Sequence, residues 1–228
     1  MTPRVVCLDA AGTLFTERSS RAQMYVEGFA AAGVTVDTQR MGAWMGELHD
    51  ELPQQVDGQP RYSEAWFRAF VGELLLRAGS DQDPEPIRAE LARRFTQADN
   101  YLVFGDTFPA LDDLTQAGFR LALVSNWSDR LEGLLHDLGL ARYFEVLAIS
   151  AVVGVDKPDP RLFEHALERL DCAPGDAVHV GDHPLNDVVG ARSAGLSALL
   201  LDRDGPHAGE GDSLVSLIEL PDRLQKPL

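Results

Sequence analysis

The chain predicts an α/β fold: a doubly wound, parallel sheet with an inserted helical domain. Three observations point to it. Five short apolar runs, at 4–8, 119–124, 146–149, 177–180 and 197–201, are continuous rather than alternating, as strands covered on both faces are. Helical patterns separate the last four runs, as crossovers between parallel strands require. The stretch between the first run and the second is far too long for one crossover, yet it reads as helical rather than loop-like.

Taken in order, the first run ends at Asp9. A helical pattern then starts at Arg21 and stops at Gly33. Residues 52–62 are rich in Pro, Gly and Gln and predict a loop. From Glu64, the residues Trp66, Phe67, Phe70, Val71, Leu74 and Leu75 form one stripe, with Ser63 placed to cap the helix and Gly79 after it. Ile87, Leu91 and Phe95 mark another helix. Residues 17–100 therefore read as a small helical bundle inserted into a core made of 1–16 and 101–228. A helix at 108–117, ending at Gly118, returns the chain to the sheet. Leu131, Leu134, Leu135 and Leu138 mark the next helix. Asp159-Pro160, an N-cap with proline in the first turn, opens a helix carrying Leu162, Phe163, Ala166, Leu167 and Leu170. A last helix follows Pro184 and ends near Gly195.

Composition narrows the function. The 228 residues contain 20 Lys plus Arg against 36 Asp plus Glu, a net charge of −16. Such a chain is repelled by nucleic acid and by anionic membrane surfaces, so neither is an expected partner, and a small anionic substrate would need cations concentrated locally at the site. No apolar run approaches the roughly 20 residues that span a bilayer, and Met-Thr-Pro-Arg-Val-Val is no secretion signal. Two distant cysteines, Cys7 and Cys172, make neither a disulfide framework nor a metal pair, which fits a reducing cytoplasm. The sequence does not set an oligomeric state.

In a doubly wound sheet, ligands bind beyond the carboxyl ends of the strands. Asp9 follows the first run, Ser125 and Asn126 the second, and Asp182 the fourth; Lys157 lies in the loop after the third. Two carboxylates, a hydroxyl, an amide and an ammonium are thus delivered to one sheet edge. Lys157 and Lys226 are the only lysines in a chain that otherwise uses arginine, which suggests a need for a compact point charge at 157. Two carboxylates at one edge repel unless a hard cation lies between them, and Mg²⁺ takes oxygen ligands. A carboxylate can also act as a nucleophile. Gly12-Thr13 supplies a turn whose backbone N–H groups can face a phosphate.

These residues resemble the motifs of the haloacid dehalogenase (HAD) hydrolase superfamily, in order and over nearly the whole chain. Leu8-Asp9-Ala10-Ala11-Gly12-Thr13-Leu14-Phe15 resembles its first motif, usually DxDGTLF. Val124-Ser125-Asn126 resembles the second and Lys157-Pro158-Asp159-Pro160 the third. Gly181-Asp182-His183-Pro184-Leu185-Asn186-Asp187 resembles the fourth, GDxxxND. The resemblance implies a strand order 5-4-1-2-3 with Asp9 at the centre. It also implies a C1 cap at the helical insertion, which would close over the site and help set specificity. Asp9 would be the nucleophile and a Mg²⁺ ligand. The Ala11 carbonyl, Asp182 and Asp187 would complete the metal site, Asp187 directly or through water. Gly12, Thr13, Ser125 and Asn126 would bind the transferred phosphoryl group, and Lys157 would balance its charge and that of Asp9.

One position departs from the pattern. Ala11 stands where phosphatases of this superfamily carry an aspartate that protonates the leaving oxygen and activates water, as in the dehalogenase-like subfamily lacking that second acid. Alanine does neither, and general acid–base catalysis is worth roughly 10²–10⁴-fold. The expectation is a Mg²⁺-dependent phosphatase that is slow, or that acts on leaving groups needing little protonation, or that takes a proton from elsewhere, with His49 a candidate donor. A catalytically weak binding protein is the first alternative. A metal-free 2-haloacid dehalogenase is the second, disfavoured because Asp182 and Asp187 are retained. Arg18, Arg21 and Arg61 are further candidates for touching substrate.

Overall fold

The computed structural model describes residues 4–203, 205 and 212–225. In chain order the strands are β1 (Val5–Leu8), β2 (Phe15–Glu17), β3 (Gln55–Val56), β4 (Gln59–Pro60), β5 (Tyr101–Val103), β6 (Arg120–Ser125), β7 (Val146–Ile149), β8 (Ala177–Gly181), β9 (Ser197–Leu201) and β10 (Ser213–Leu214). The α-helices are α1 (Arg21–Ala31), α2 (Thr38–Glu51), α3 (Glu64–Arg77), α4 (Glu85–Phe95), α5 (Thr107–Gln116), α6 (Leu131–Asp137), α7 (Ser150–Val153), α8 (Pro160–Arg169), α9 (Gly190–Ser193) and α10 (Leu220–Leu224). The chain divides into two compact units, Met1–Thr16 with Leu102–Leu228, and Glu17–Tyr101.

The first unit is built on a six-stranded sheet of order β10-β9-β8-β1-β6-β7, parallel throughout. Its five long strands follow the order 5-4-1-2-3, with β1 central. The two-residue β10, too short to leave an apolar run, adds an edge strand beyond β9. Register aligns the strand ends. Cys7 lies opposite Ala122 on β6 and His179 on β8, and Leu8 lies opposite Leu123 and Val180. The carboxyl ends of the three central strands therefore sit level, and the residues just beyond them are delivered together.

All four residues of β1 are buried, which is why its sequence is continuously apolar. One face packs on α8. Leu162, Phe163, Ala166 and Leu167 are buried there in one cluster with Val5, Cys7, Ala122, Val124 and Ala148. The expected cap of α8 is present: Asp159 Oδ1 accepts from the Arg161 N–H at 3.0 Å. The segment after Pro184 is a π-helical turn, Pro184–Val189, running into α9, rather than one α-helix.

The second unit contains α1–α4 and the β3–β4 hairpin. Phe29, Met41, Val71, Leu74 and Leu91 are fully buried in its own apolar cluster. Each such side chain contributes about 1.5–3 kcal/mol relative to exposure. Ser63 caps α3 through its bond from the Trp66 N–H at 3.3 Å. The sequence pattern does not predict α2, where Gly42 and Gly46 lower helix propensity by about 1 kcal/mol each. The stretch 52–62 is not all loop. Asp57-Gly58, both at positive φ, turns β3 back onto β4. Among the described residues no helix is long and apolar enough to cross a membrane.

Candidate active site

The Asp9 N–H donates to the Val180 carbonyl at 3.0 Å, extending the β1–β8 pairing by one residue and fixing the Asp9 backbone. The chain then turns sharply. The Leu14 N–H bonds the Ala10 carbonyl at 2.7 Å, and the Gly12 N–H bonds the Phe15 carbonyl at 2.8 Å. Outside partners hold this loop. Arg203 Nη2 donates to the Thr13 carbonyl at 2.9 Å, and Thr107 Oγ1 donates to the Leu14 carbonyl at 2.7 Å. The Thr13 side chain is fully buried and its Oγ1 has no hydrogen-bond partner, so only its backbone is suited to meeting a ligand. Gly12 has φ +85°, and a Cβ there would lie 2.3 Å from Asp182 Oδ2. Glycine is required twice over, for the turn and for the approach of that carboxylate.

Lys157 is the hub of the site. Its ammonium donates to Asp9 Oδ1 at 2.6 Å, Asp187 Oδ1 at 2.6 Å and the Val124 carbonyl at 2.9 Å, and its side chain is 3% exposed. Asn126 clamps the lysine backbone, accepting from Lys157 N–H at 2.7 Å and donating to the Lys157 carbonyl at 3.0 Å. The Asn126 side chain is thus spent on holding the lysine. Ser125 is buried at the end of β6.

Asp187 reaches the site because Gly181 has no side chain: a Cβ there would lie 2.2 Å from Asp187 Cγ. Its Oδ1 is also within 2.9 Å of His179 Nε2, and its Oδ2 accepts from the His183 N–H at 2.9 Å. The His183 imidazole accepts from Leu185 and Asn186 N–H groups, both at 3.2 Å, and caps the π-helical turn. His179 and the Val124 carbonyl escape sequence reasoning. The one signal for His179 is a histidine inside an otherwise apolar run.

Carboxylate oxygens of Asp9, Asp182 and Asp187 all lie within 4.8 Å of one another. At that spacing a pair of like charges repels by roughly 3 kcal/mol, taking an effective dielectric of about 20. The protonation equilibria reflect it. Burial pushes the Asp9 carboxyl up, and Asp187 adds to this while Lys157 opposes it. Asp182 is exposed as a residue, but its carboxyl faces Gly12 and the other acids; loss of water and then the charges of Asp9 and Asp187 push it up to about 7. Burial raises Asp187 too, but Lys157 and His179 outweigh it and hold this carboxyl well below the usual range. Burial likewise opposes the Lys157 charge, and its two carboxylate partners more than restore it.

Three carboxylates therefore face one ammonium, an imbalance that a divalent cation would relieve. The all-oxygen donor set suits a hard ion such as Mg²⁺. Asp9, Asp182 and the Ala11 carbonyl are the candidates to hold it. Asp187, with both oxygens already accepting hydrogen bonds, fits best as a partner through water.

In the second unit, His49 Nε2 lies 3.0 Å from the Tyr62 hydroxyl, and the buried Arg61 donates to the His49 carbonyl at 2.9 Å. Arg21 is paired with Glu17, and the Arg18 N–H bonds the Asn100 carbonyl at 2.9 Å.

A family model described as haloacid dehalogenase-like hydrolase matches residues 3–195. The chain is 31% identical over 234 residues to haloacid dehalogenase-like hydrolase domain-containing protein 3 of Danio rerio, covering 97% of this chain and 96% of that protein. Among solved structures, it resembles an HAD phosphatase from Thermococcus onnurineus, with TM-score 0.69, 27% identity and 97% of each chain covered. It also resembles a 2-haloacid dehalogenase from Pseudomonas syringae pv. Tomato DC3000, with TM-score 0.72, 25% identity and 98% of each chain covered.

Proposed function

The chain belongs to the haloacid dehalogenase-like hydrolases, and from that premise we propose that it is a Mg²⁺-dependent phosphatase of small phosphorylated metabolites, working through an aspartyl-phosphate on Asp9. The observation that carries this reading is the cluster of three carboxylates, two of them bridged by one buried ammonium. Attack on a carbon–halogen bond needs one carboxylate; two further acids beside it only add repulsion toward an anionic haloacid. A cation held by Asp9, Asp182 and the Ala11 carbonyl, with Asp187 through water, would turn that surplus charge into a phosphate site.

In this reading Lys157 holds Asp9 Oδ1, leaving Oδ2 to attack phosphorus as the bond to the leaving oxygen breaks. The Thr13 backbone N–H and Ser125 hold the phosphoryl oxygens, since the Gly12 N–H already donates to the Phe15 carbonyl. When bound, Mg²⁺ supplies charge stabilisation to the phosphoryl group. Water then attacks phosphorus, the Asp9–phosphorus bond breaks, and phosphate leaves. Ala11 has no proton for the leaving oxygen and cannot activate that water. The first step therefore favours leaving groups that depart as stable anions, such as acyl and aryl phosphates; the second lacks a base for its water, so the phosphoenzyme should persist.

The test is hydrolysis of acetyl phosphate and p-nitrophenyl phosphate with Mg²⁺ and with EDTA, alongside intact-mass measurement of the protein. Activity that EDTA abolishes, and a phosphoryl adduct absent from Asp9→Asn, are the expected results. Equal activity in EDTA would sink the metal requirement. A persistent adduct with negligible turnover would instead favour a binding or regulatory protein, the reading Ala11 also supports.

A further inference from the structure

We propose that His179 is a positioning residue: by holding the Asp187 carboxylate it fixes where the Lys157 ammonium meets Asp9. This goes beyond the four sequence motifs and rests on the reading of Asp9 as the reacting carboxylate.

His179 lies on β8, opposite Cys7 of β1 and Ala198 of β9, and is completely buried. Strand alternation puts it on the same face as Gly181, the residue whose missing side chain admits Asp187. Asp187 is thus seated against Gly181 while the imidazole two residues earlier reaches the same carboxylate, at 2.9 Å from Oδ1. That oxygen already accepts the Lys157 ammonium at 2.6 Å, so Nε2 must carry the hydrogen and donate. The other ring nitrogen, Nδ1, is buried without a hydrogen-bond partner, and the ring packs edge-on against Phe163 with centroids 5.0 Å apart. A buried nitrogen left without a bond is unfavourable, and an apolar side chain would suit this pocket better. Packing alone therefore does not account for the imidazole, whereas donation to Asp187 does.

The consequence reaches Asp9 through a short chain of contacts. Two N–H donors, His179 Nε2 and the His183 backbone, grip opposite oxygens of Asp187 and fix its orientation. Asp187 Oδ1, Asp9 Oδ1 and the Val124 carbonyl then define the position of Nζ. Without the imidazole, one of the two restraints on the carboxylate is lost, and the lysine can swing with it.

The two lysines make this measurable. With ¹⁵N-lysine labelling the chain gives two ammonium signals, assigned with Lys226→Arg, and that of Lys157 is expected to exchange slowly with water because all three protons are buried on acceptors. In His179→Leu the Lys157 signal should shift and exchange at least about tenfold faster, with kcat reduced about 10–100-fold. His179→Gln, which keeps an N–H donor at similar reach, should restore the signal and most of the rate. Should the leucine variant not fold, His179→Asn, with a shorter donor, takes its place and should lose what glutamine keeps. An unchanged Lys157 signal in His179→Leu or His179→Asn, or loss of it in a folded His179→Gln, overturns the proposal. The signal is read without substrate, so an inactive wild type would reject the phosphatase reading while leaving this measurement intact.

Discussion

Replacing Lys157 with methionine removes the ammonium and keeps most of the volume of its stem. In the wild-type chain Nζ stands 2.6 Å from a carboxylate oxygen of Asp9 and 2.6 Å from one of Asp187, with all three side chains largely buried. The substitution leaves two close carboxylates with neither water nor counter-charge. Removing one partner of a buried pair costs about 3–5 kcal/mol, because the penalty is the stranded charge rather than the lost bond. At roughly 2–4 °C per kcal/mol for a chain of this size, Tm in EDTA should fall by about 6–20 °C. Differential scanning calorimetry in EDTA and then with Mg²⁺ provides the assay. Mg²⁺ should raise the Tm of Lys157→Met more than that of the wild type, since a bound cation supplies the missing positive charge. Lys157→Met with Asp187→Asn should be more stable than the two single losses combined predict, because the second change removes one stranded charge. A single variant within about 2 °C of wild type in EDTA would refute the reasoning, since the acids would then need no ammonium to coexist.

Ala11→Asp should raise kcat for alkyl phosphates by about 10²-fold or more, and should shorten the lifetime of the phosphoenzyme formed from acetyl phosphate; steady-state kinetics and intact-mass measurement check this, and no gain on alkyl esters means the missing acid is not what limits the rate. Asp182 supplies a pH signature. Its carboxyl, pushed up to about 7, keeps a proton in the folded metal-free chain that the unfolded chain releases near pH 4, so its contribution to stability falls as pH rises between those values. Asp182→Asn cannot ionise, so its Tm in EDTA should gain on wild type from about pH 5 to about pH 7.5, and Mg²⁺ should shrink the gap. A difference that stays flat over that range would mean that burial and the neighbouring acids do not raise this carboxyl.

Much of the first unit was legible because its strands are buried on both faces. Continuous apolar runs are the direct imprint of that burial, and they mark β1, β6, β7, β8 and β9 to within a residue or two of their ends. Elements with weaker imprints escaped. β10 is two residues long, and α2 buries only Met41 and Leu48 while carrying two glycines. The β3–β4 hairpin left a readable trace in Asp57-Gly58 that composition alone hid inside a loop.

Sequence by itself determined which polar groups stand at the ends of the strands, because a strand's apolar run stops where its chain leaves the core. Asp9, Ser125, Asn126 and Asp182 were identifiable for that reason, and Lys157 for its rarity. Only the tertiary structure decided what each group does with its atoms. It turned Asn126 from a free amide into the clamp on Lys157, gave the lysine a third acceptor in the Val124 carbonyl, and brought His179 to Asp187. Such contacts depend on strand register and on the room left by Gly12 and Gly181. They join residues far apart in the chain, and local sequence patterns carry no record of distance across a sheet.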